Sequence, residues 1–298
     1  MSMIWQYLIA ISMGIWNSVL MNLAQAMERH GIAIFDKKKS EQSDIQKTDT
    51  KKSRKPLIYT IGVILNQTPP LWIMIANIFA PFTYFTSMYG IGLIVLLLYS
   101  SKILKEQITK RKIIGAIILI VGTLLLGIDG IIRPELNMAN INILSSLIFV
   151  GVLLALAIIL IPISLKTKIP RVIGICFGFI CGSFQSLDPV IKGIGQSFGA
   201  EKTGFFPSTP IGWTIFIFSF FAGTFSFVLA QIGFSKKTDA SVQVPVANSS
   251  FILIPILIQA ITLSGYNITV LTIFGVIIVI TGILSMQLYP HNPYTSIN

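Results

Sequence analysis

The chain has 298 residues, of which 53% are hydrophobic and only 11% are charged, with a mean hydropathy of +0.80. Soluble domains carry about 25% charged residues, so this composition excludes an ordinary soluble protein. The net charge of +11 does not indicate nucleic-acid binding, because nearly all basic residues lie in short segments between hydrophobic runs. We therefore predict a polytopic, all-α membrane protein whose main partner is the lipid bilayer.

Apolar runs bounded by polar or turn residues predict nine transmembrane helices, since one span requires about 20 apolar residues. The predicted spans are 3–27, 57–79, 81–101, 112–132, 141–165, 171–196, 211–234, 241–263 and 267–289. Only Ala80-Pro81 separates the second span from the third, so one broken helix is the alternative there. The combined length of these two runs favours two helices.

The Lys and Arg residues of the loops indicate the orientation in the membrane. With nine spans, nineteen of them fall on one side and three on the other. Short basic loops face the cytoplasm, so the N-terminus is expected outside and the C-terminus inside. The most basic loop includes residues 36–55, which nearly lack large apolar side chains, and the loop 32–56 is predicted to be mobile.

The fourth and ninth spans share a sequence pattern. The run Gly-x-Ile-Ile-x-Ile-x-Gly extends from Gly115 to Gly122 and recurs from Gly275 to Gly282, at an offset of 160 residues. Glycines seven residues apart lie on one face of a helix and permit close helix packing in a membrane. We interpret these four glycines as packing residues and also as one trace of an internal repeat.

A second sequence match aligns span one with span six at an offset of 168 residues, which places Gly14 on Gly182. The two matches predict a duplicated four-helix unit, with residues 1–134 as the first repeat and 171–298 as the second. Residues 135–170 then form a connector helix. Because an odd number of crossings separates equivalent helices, the two repeats are expected to have inverted topology, a recurrent plan of secondary transporters.

Prolines predict interrupted helices in both repeats. Interruptions are expected at 66–70 in span two, at Asp188-Pro189 in span six, and at Pro245 and Pro255 in span eight. Transporters build their substrate sites where interrupted helices of corresponding repeats meet. The sequence therefore predicts a central site between the two repeats.

Asp188 and Lys192 are the only charged pair predicted at membrane depth, where a charged side chain is functional by default. They are four residues apart and share one helix face. Asp188 is either part of a cation or substrate site, with carbonyls freed by Pro189 as further oxygen ligands, or half of a structural pair. Asp129 is predicted to be interfacial, and Glu106 is predicted to form a loop ion pair.

Uncharged polar residues at mid-span complete the predicted substrate-binding set. Asn17 and Ser18 align with Gln185 and Ser186 in the inverted copies, and Asn248 lies in span eight. Each is either a ligand or an interhelical hydrogen-bonding residue. The charged pair completes the set, with its carboxylate as the one predicted metal ligand.

The sequence lacks the motifs of enzymes that act within the membrane. The two histidines, His30 and His291, lie near opposite ends of the chain and cannot form the His-Glu-x-x-His motif of a metalloprotease. The sequence contains neither a second deep carboxylate near Asp188 nor a glycine-rich phosphate loop. We therefore expect no enzyme activity and no cofactor. A non-transporting receptor or scaffold is the alternative from another class.

Several short motifs follow one another in a characteristic order. In the first half they are Phe79-Ala80-Pro81, Ser100-Ser101, Leu104-Lys105-Glu106, Gly115 and Gly122, and in the second half Lys192-Gly193-Ile194-Gly195 and Ser241-Val242 followed by Pro245. This order resembles the drug/metabolite transporter superfamily, and within it the sequence is most similar to the NIPA-like magnesium transporters. The resemblance covers nearly the whole chain outside the loop 32–56.

The resemblance implies a nine-span, N-outside carrier of a divalent cation, with magnesium as the transported substrate rather than a cofactor. A small organic solute is the alternative, because the intramembrane charges are one acid and one base. A zwitterionic or anionic solute would use Lys192, whereas a cation would use Asp188. The only protein partner considered is a second copy of the chain, in a homodimer.

Overall fold

A computed structural model describes residues 3–32, 55–79, 85, 87–132, 142–199, 204–262 and 265–287, and all its regular elements there are helical. The helices are α1 (Met3–Gly31), α2 (Lys55–Asn66), α3 (Pro69–Phe79), α4 (Leu93–Lys102), α5 (Lys110–Ile132), α6 (Ile143–Thr167), α7 (Pro170–Ser197), α8 (Pro210–Ser235), α9 (Ala240–Thr262) and α10 (Val270–Gln287). A 3₁₀ turn at Ser87–Gly90 precedes α4.

Seven stretches of the described chain are long and apolar enough to cross a membrane. They are α1, the α2–α3 pair taken together, α5, α6, α7, α8 and α9. Helices suit this solvent because all their backbone groups bond internally. The chain is therefore a multi-pass membrane protein. The described parts of predicted spans three and nine, Met88–Lys102 and Val270–Met286, are shorter, so the count of nine spans stays a prediction.

Two predicted features fall on the limits of the described residues. The predicted mobile loop 32–56 lies outside them over residues 33–54, and Lys55 and Pro56 already belong to α2. The predicted boundary at Ala80-Pro81 also lies outside them. On its two sides, α3 ends at Phe79 and the 3₁₀ turn begins at Ser87.

The helices α7 and α9 form the buried centre of the bundle. In each of them 72% of the most apolar stretch is buried, compared with 11% in α6, whose hydropathy of 3.0 suits a surface against lipid. Both central helices continue through their prolines, Pro189 in α7 and Pro245 and Pro255 in α9. The predicted interruptions there were wrong, because neighbouring helices hold a proline-containing membrane helix together.

The four repeated glycines pack α5 against α10. A Cβ atom on Gly115 would lie 2.7 Å from the carbonyl oxygen of Gly282, and one on Gly282 would lie 2.8 Å from that of Gly115. Near the other end of the contact, a Cβ atom on Gly275 would lie 3.4 Å from the Gly122 carbonyl oxygen. These distances confirm the packing role, because only a glycine lets the two backbones approach so closely.

Four loops that carry basic residues lie at one end of the bundle, which we term the basic end. The side chain of Arg29, in the last turn of α1, donates to the Thr238 carbonyl between α8 and α9. The Lys112 ammonium at the start of α5 donates to the Ser241 hydroxyl at 2.8 Å. Arg171, in the first turn of α7, lines the same cavity as Arg29 and Lys112. The fold therefore brings together loops that the charge count placed on one side.

Candidate functional site

A small cavity, which we term the central cavity, lies between α1, the α2–α3 junction, α7 and α8. Its volume is about 80 Å³, which is room for a few water molecules or one partly hydrated ion. Its lining draws on both predicted repeats. The polar lining includes Gln25, Asn66, Gln67, Gln185, Asp188 and Thr224.

The α2–α3 junction confirms the interruption predicted in span two. Pro69 and Pro70 have no backbone N–H and cannot continue α2, which ends at Asn66. Thr68 closes the turn on the Leu65 carbonyl with its backbone N–H at 3.1 Å and its hydroxyl at 2.8 Å. The two prolines then occupy the first turn of α3, where no donor is needed. The break leaves the Asn66 side chain at the wall of the central cavity.

Asp188 borders the central cavity from α7 and forms an ion pair with Lys192 one turn later. The two side chains are 9% and 0% exposed, respectively. The Lys192 ammonium also lies 4.2 Å from the centroid of the Phe220 ring, a cation–π contact. The pair forms as the structural interpretation predicts, and the Asp188 carboxylate also borders a cavity as the site interpretation requires.

Two amides supply further oxygen atoms to the cavity. Gln185 lines it from α7, and Pro189 has no N–H for the Gln185 carbonyl four residues earlier. Gln25 lines it from α1, and its buried Oε1 atom has no hydrogen-bond partner among the described residues. Leaving a buried acceptor unsatisfied costs about 1–3 kcal/mol. An unpaired amide oxygen at a cavity wall is therefore a ready acceptor for a water molecule or a cation.

Glu28 is a second buried carboxylate, which the sequence analysis did not identify. It is fully buried in α1 and accepts hydrogen bonds from Asn66 Nδ2 at 2.7 Å and from the Gln231 amide of α8. Both donors are neutral, and within the described residues Glu28 has no ion-pair partner. Glu28 therefore adds a buried carboxylate to the predicted pair of Asp188 and Lys192, and Asn66 connects Glu28 to the central cavity.

Asn17 and Ser18 do not line the central cavity. Asn17 Nδ2 donates to the Tyr89 hydroxyl, and Ser18 Oγ donates to the Tyr89 carbonyl at 2.7 Å. Ser18 Oγ also accepts from the Gly92 amide at 2.8 Å. The Tyr89 ring stacks on Phe251 of α9 with 4.0 Å between centroids. These contacts make Asn17 and Ser18 interhelical hydrogen-bonding residues, the second of the two predicted roles.

The remaining predicted site residues also bond within the protein. Asn248 Nδ2 donates to Asn22 Oδ1 at 2.8 Å, and Ser186 Oγ donates to the Ser183 carbonyl at 2.6 Å. Five of the seven predicted residues therefore lie away from the central cavity lining, namely Asn17, Ser18, Ser186, Lys192 and Asn248. The structure does not bring the repeat-equivalent pair of Asn17 and Gln185 into one site.

Two further acidic residues, Glu106 and Asp129, accept hydrogen bonds at helix N-termini. The Glu106 carboxylate accepts the first two backbone N–H groups of α9 at 2.9 and 3.0 Å, so it caps that helix instead of forming a loop ion pair. Asp129 is 4% exposed and accepts hydrogen bonds from the hydroxyls of Thr269 and Thr272 at the start of α10. Asp129 is thus buried within the protein, and its position at the membrane interface stays a prediction.

No protein family, curated protein or solved structure matches the chain. The resemblance to the drug/metabolite transporters consequently rests on the short motifs alone. Ala80 and Pro81 of the first motif lie outside the described residues. The features that bear on function are the central cavity and the two buried carboxylates close to it, Asp188 and Glu28.

Proposed function

We propose that the chain is a secondary transporter that moves a small cation, such as magnesium, through the central cavity. The observation that carries the proposal is the cavity itself, which lies where a broken membrane helix meets the buried Asp188 carboxylate. Substrate sites of secondary transporters lie near the membrane midplane, between repeats and beside discontinuous helices.

The buried charges around the central cavity favour a cation over an anion. Asp188 and Lys192 offset each other, and Glu28 adds a carboxylate with only neutral donors among the described residues. Lys192 is not one of the lining residues, so an entering solute meets the Asp188 carboxylate and not the ammonium. With both carboxylates ionised, the three groups together carry one negative charge.

The ligand atoms and the volume favour a small ion. Magnesium prefers oxygen ligands and keeps several of its waters, and the wall supplies oxygens of Asp188, Gln25 and Gln185. No three His, Cys, Asp or Glu side chains of the described chain come together as metal ligands, so the ion would be held loosely, as release requires. Sites for drug-sized solutes have about 300–1,000 Å³, well above the volume of the central cavity.

Reciprocal contacts support an inverted repeat. The pattern of the sequence equates Gly115 with Gly275 and Gly122 with Gly282, and the contacts pair Gly115 with Gly282 and Gly275 with Gly122. A two-fold axis produces such an exchange, because residue i then contacts j while j contacts i. We infer that this axis relates the two halves and that transport proceeds by rocking one half against the other.

The orientation can be tested with single cysteines at the two ends of the bundle. Lys236 is exposed at the basic end, and Phe206 is 55% exposed in the segment between α7 and α8 at the other end. On intact cells, an impermeant thiol reagent should label Phe206→Cys and leave Lys236→Cys unlabelled, because basic loops stay in the cytoplasm. The unsubstituted chain, with Cys176 and Cys181, gives the background, and the reverse labelling pattern would refute the orientation.

Uptake into proteoliposomes tests the proposed activity directly. The purified chain should admit magnesium, read with an enclosed indicator dye, faster than protein-free liposomes do. Glu28→Gln should weaken the apparent affinity about tenfold, because it removes a charge that offsets the loss of water from the cation. Asp239→Asn, which changes an exposed acid outside the central cavity, is the matched control and should leave uptake unchanged.

The same assay separates the alternative functions. Uptake of a small organic solute without magnesium uptake would favour the drug/metabolite interpretation. Absence of any transport by a folded chain, across a panel of cations and solutes under imposed gradients, would favour a receptor or scaffold. Magnesium uptake that is equal in Glu28→Gln and in the unsubstituted chain would remove Glu28 from the site.

A further inference from the structure

The basic end of the bundle contains a second, larger cavity, which we term the basic-end cavity. Its volume is about 590 Å³, within the range of about 300–1,000 Å³ typical of ligand sites. Six chain segments line it: the end of α1, the start of α2, the α4–α5 loop with the start of α5, the start of α7, the α8–α9 loop with the start of α9, and the end of α10. It is separate from the central cavity and has no part in the proposed transport step.

Basic side chains dominate this cavity. It is lined by Arg29, Lys55, Lys105, Arg111, Lys112 and Arg171, whereas its acidic lining residues are Glu106 and Asp239. The Glu106 carboxylate is engaged by the backbone N–H groups of α9. The described lining therefore has a formal excess of four positive charges, which the fold gathers around one cavity from distant parts of the chain.

Two of the basic groups are held in place by the protein and keep donors for a ligand. Lys112 is half-buried, and its ammonium donates to the Gln107 carbonyl at 3.3 Å and to the Ser241 hydroxyl at 2.8 Å. Arg29 Nε donates to the Thr238 carbonyl. An ammonium has three N–H donors and a guanidinium has five. After these bonds, Lys112 keeps one donor and Arg29 keeps four.

The N-terminus of α5 adds a fixed positive dipole to the same cavity. This helix has 23 residues and begins at Lys110, and the Thr109 hydroxyl at its start accepts the Lys112 backbone N–H at 3.3 Å. Thr109, Arg111 and Lys112 all line the cavity, so the helix starts at its wall. Helix N-termini attract anions, and phosphates in particular.

We propose that the basic-end cavity binds a phosphate-bearing anion. Held guanidinium and ammonium groups beside a helix N-terminus are the groups with which proteins bind phosphate. The phosphate belongs either to the headgroup of an anionic phospholipid at the membrane surface or to a soluble phosphate ester. Because the lining comes from both predicted repeats, a phosphate bound there would contact both of them.

Binding assays with two kinds of probe distinguish the sources. In detergent, pyrophosphate and ATP are titrated against the full chain by calorimetry, with sodium chloride of equal ionic strength as the reference. In nanodiscs, thermal unfolding is compared between phosphatidylglycerol and phosphatidylcholine. A soluble phosphate ester should bind in the first assay, whereas a lipid ligand should raise the unfolding temperature in phosphatidylglycerol alone.

Variants assign the binding to this cavity. Arg29→Gln and Lys112→Gln should each weaken the observed binding about tenfold or more, since each removes a charge-assisted hydrogen bond. Lys236→Gln removes an exposed basic residue of the same end that does not line the cavity, and it should bind as the unsubstituted chain does. The proposal is overturned if neither probe binds, or if Lys236→Gln loses as much binding as Arg29→Gln.

Discussion

Replacing Lys192 by Met should destabilise the protein by about 3–5 kcal/mol, because the Asp188 carboxylate would stay buried without its ion-pair partner. Asp188→Asn should also be destabilising, since the buried ammonium would lose its counter-charge and keep only a neutral amide acceptor and its contact with the Phe220 ring. The double variant should lose much less stability, because replacing both partners removes both buried charges. Thermal unfolding of the purified chains in detergent measures all three.

The double variant also separates stability from transport. If it folds, its apparent affinity for the transported cation should be about 10- to 100-fold weaker, because one charge-assisted contact of about 1.5–3 kcal/mol is lost. Gln185→Ala removes a neutral contact of about 1 kcal/mol and should weaken the affinity less. Uptake at the level of the unsubstituted chain would make the Asp188–Lys192 pair purely structural. Strict additivity of the two single-variant losses would show that the pair is not coupled.

The sequence predicts the membrane-spanning helices well, because the free energy of an apolar run in lipid is a local property. The seven long apolar stretches, the break at Asn66 and the packing role of the four repeated glycines were all predicted from residue types and spacing. Proline predicts a helix interruption less reliably when the helix is packed inside a bundle. Pro189 and Pro245 do not interrupt their helices, because packing against neighbouring helices decides whether a helix continues past a proline.

The candidate site was predicted less completely, because burial of a polar side chain depends on which helices pack together. Glu28 follows the predicted end of span one at residue 27, yet α1 continues to Gly31 and buries it beside Asn66 and Gln231. Asn17 and Gln25 are both polar amides of α1. Asn17 hydrogen-bonds to the Tyr89 hydroxyl, whereas Gln25 lines the central cavity. Nothing in the local sequence distinguishes these two outcomes.

Gly182→Ala should disrupt the centre of the bundle more than any other alanine substitution of a glycine. A Cβ atom there would lie 2.0 Å from the carbonyl oxygen of Ala247 and 2.7 Å from its Cα, so the backbone of α9 would have to move. Overpacking costs about 1–3 kcal/mol and occasionally more, and a clash with backbone belongs at the upper end or beyond it. The expected result is a large fall in the unfolding temperature in detergent, or no folded protein.

The matched control for this substitution is Gly151→Ala in α6. A Cβ atom at Gly151 would meet nothing within 4 Å, so the only effect is the lower conformational entropy of alanine in a helix, which stabilises by about 0.5–1 kcal/mol. The two variants add the same methyl group to a membrane helix, and the contact between α7 and α9 alone sets them apart. Equal unfolding temperatures for the two variants would show that these helices do not pack backbone to backbone at Ala247.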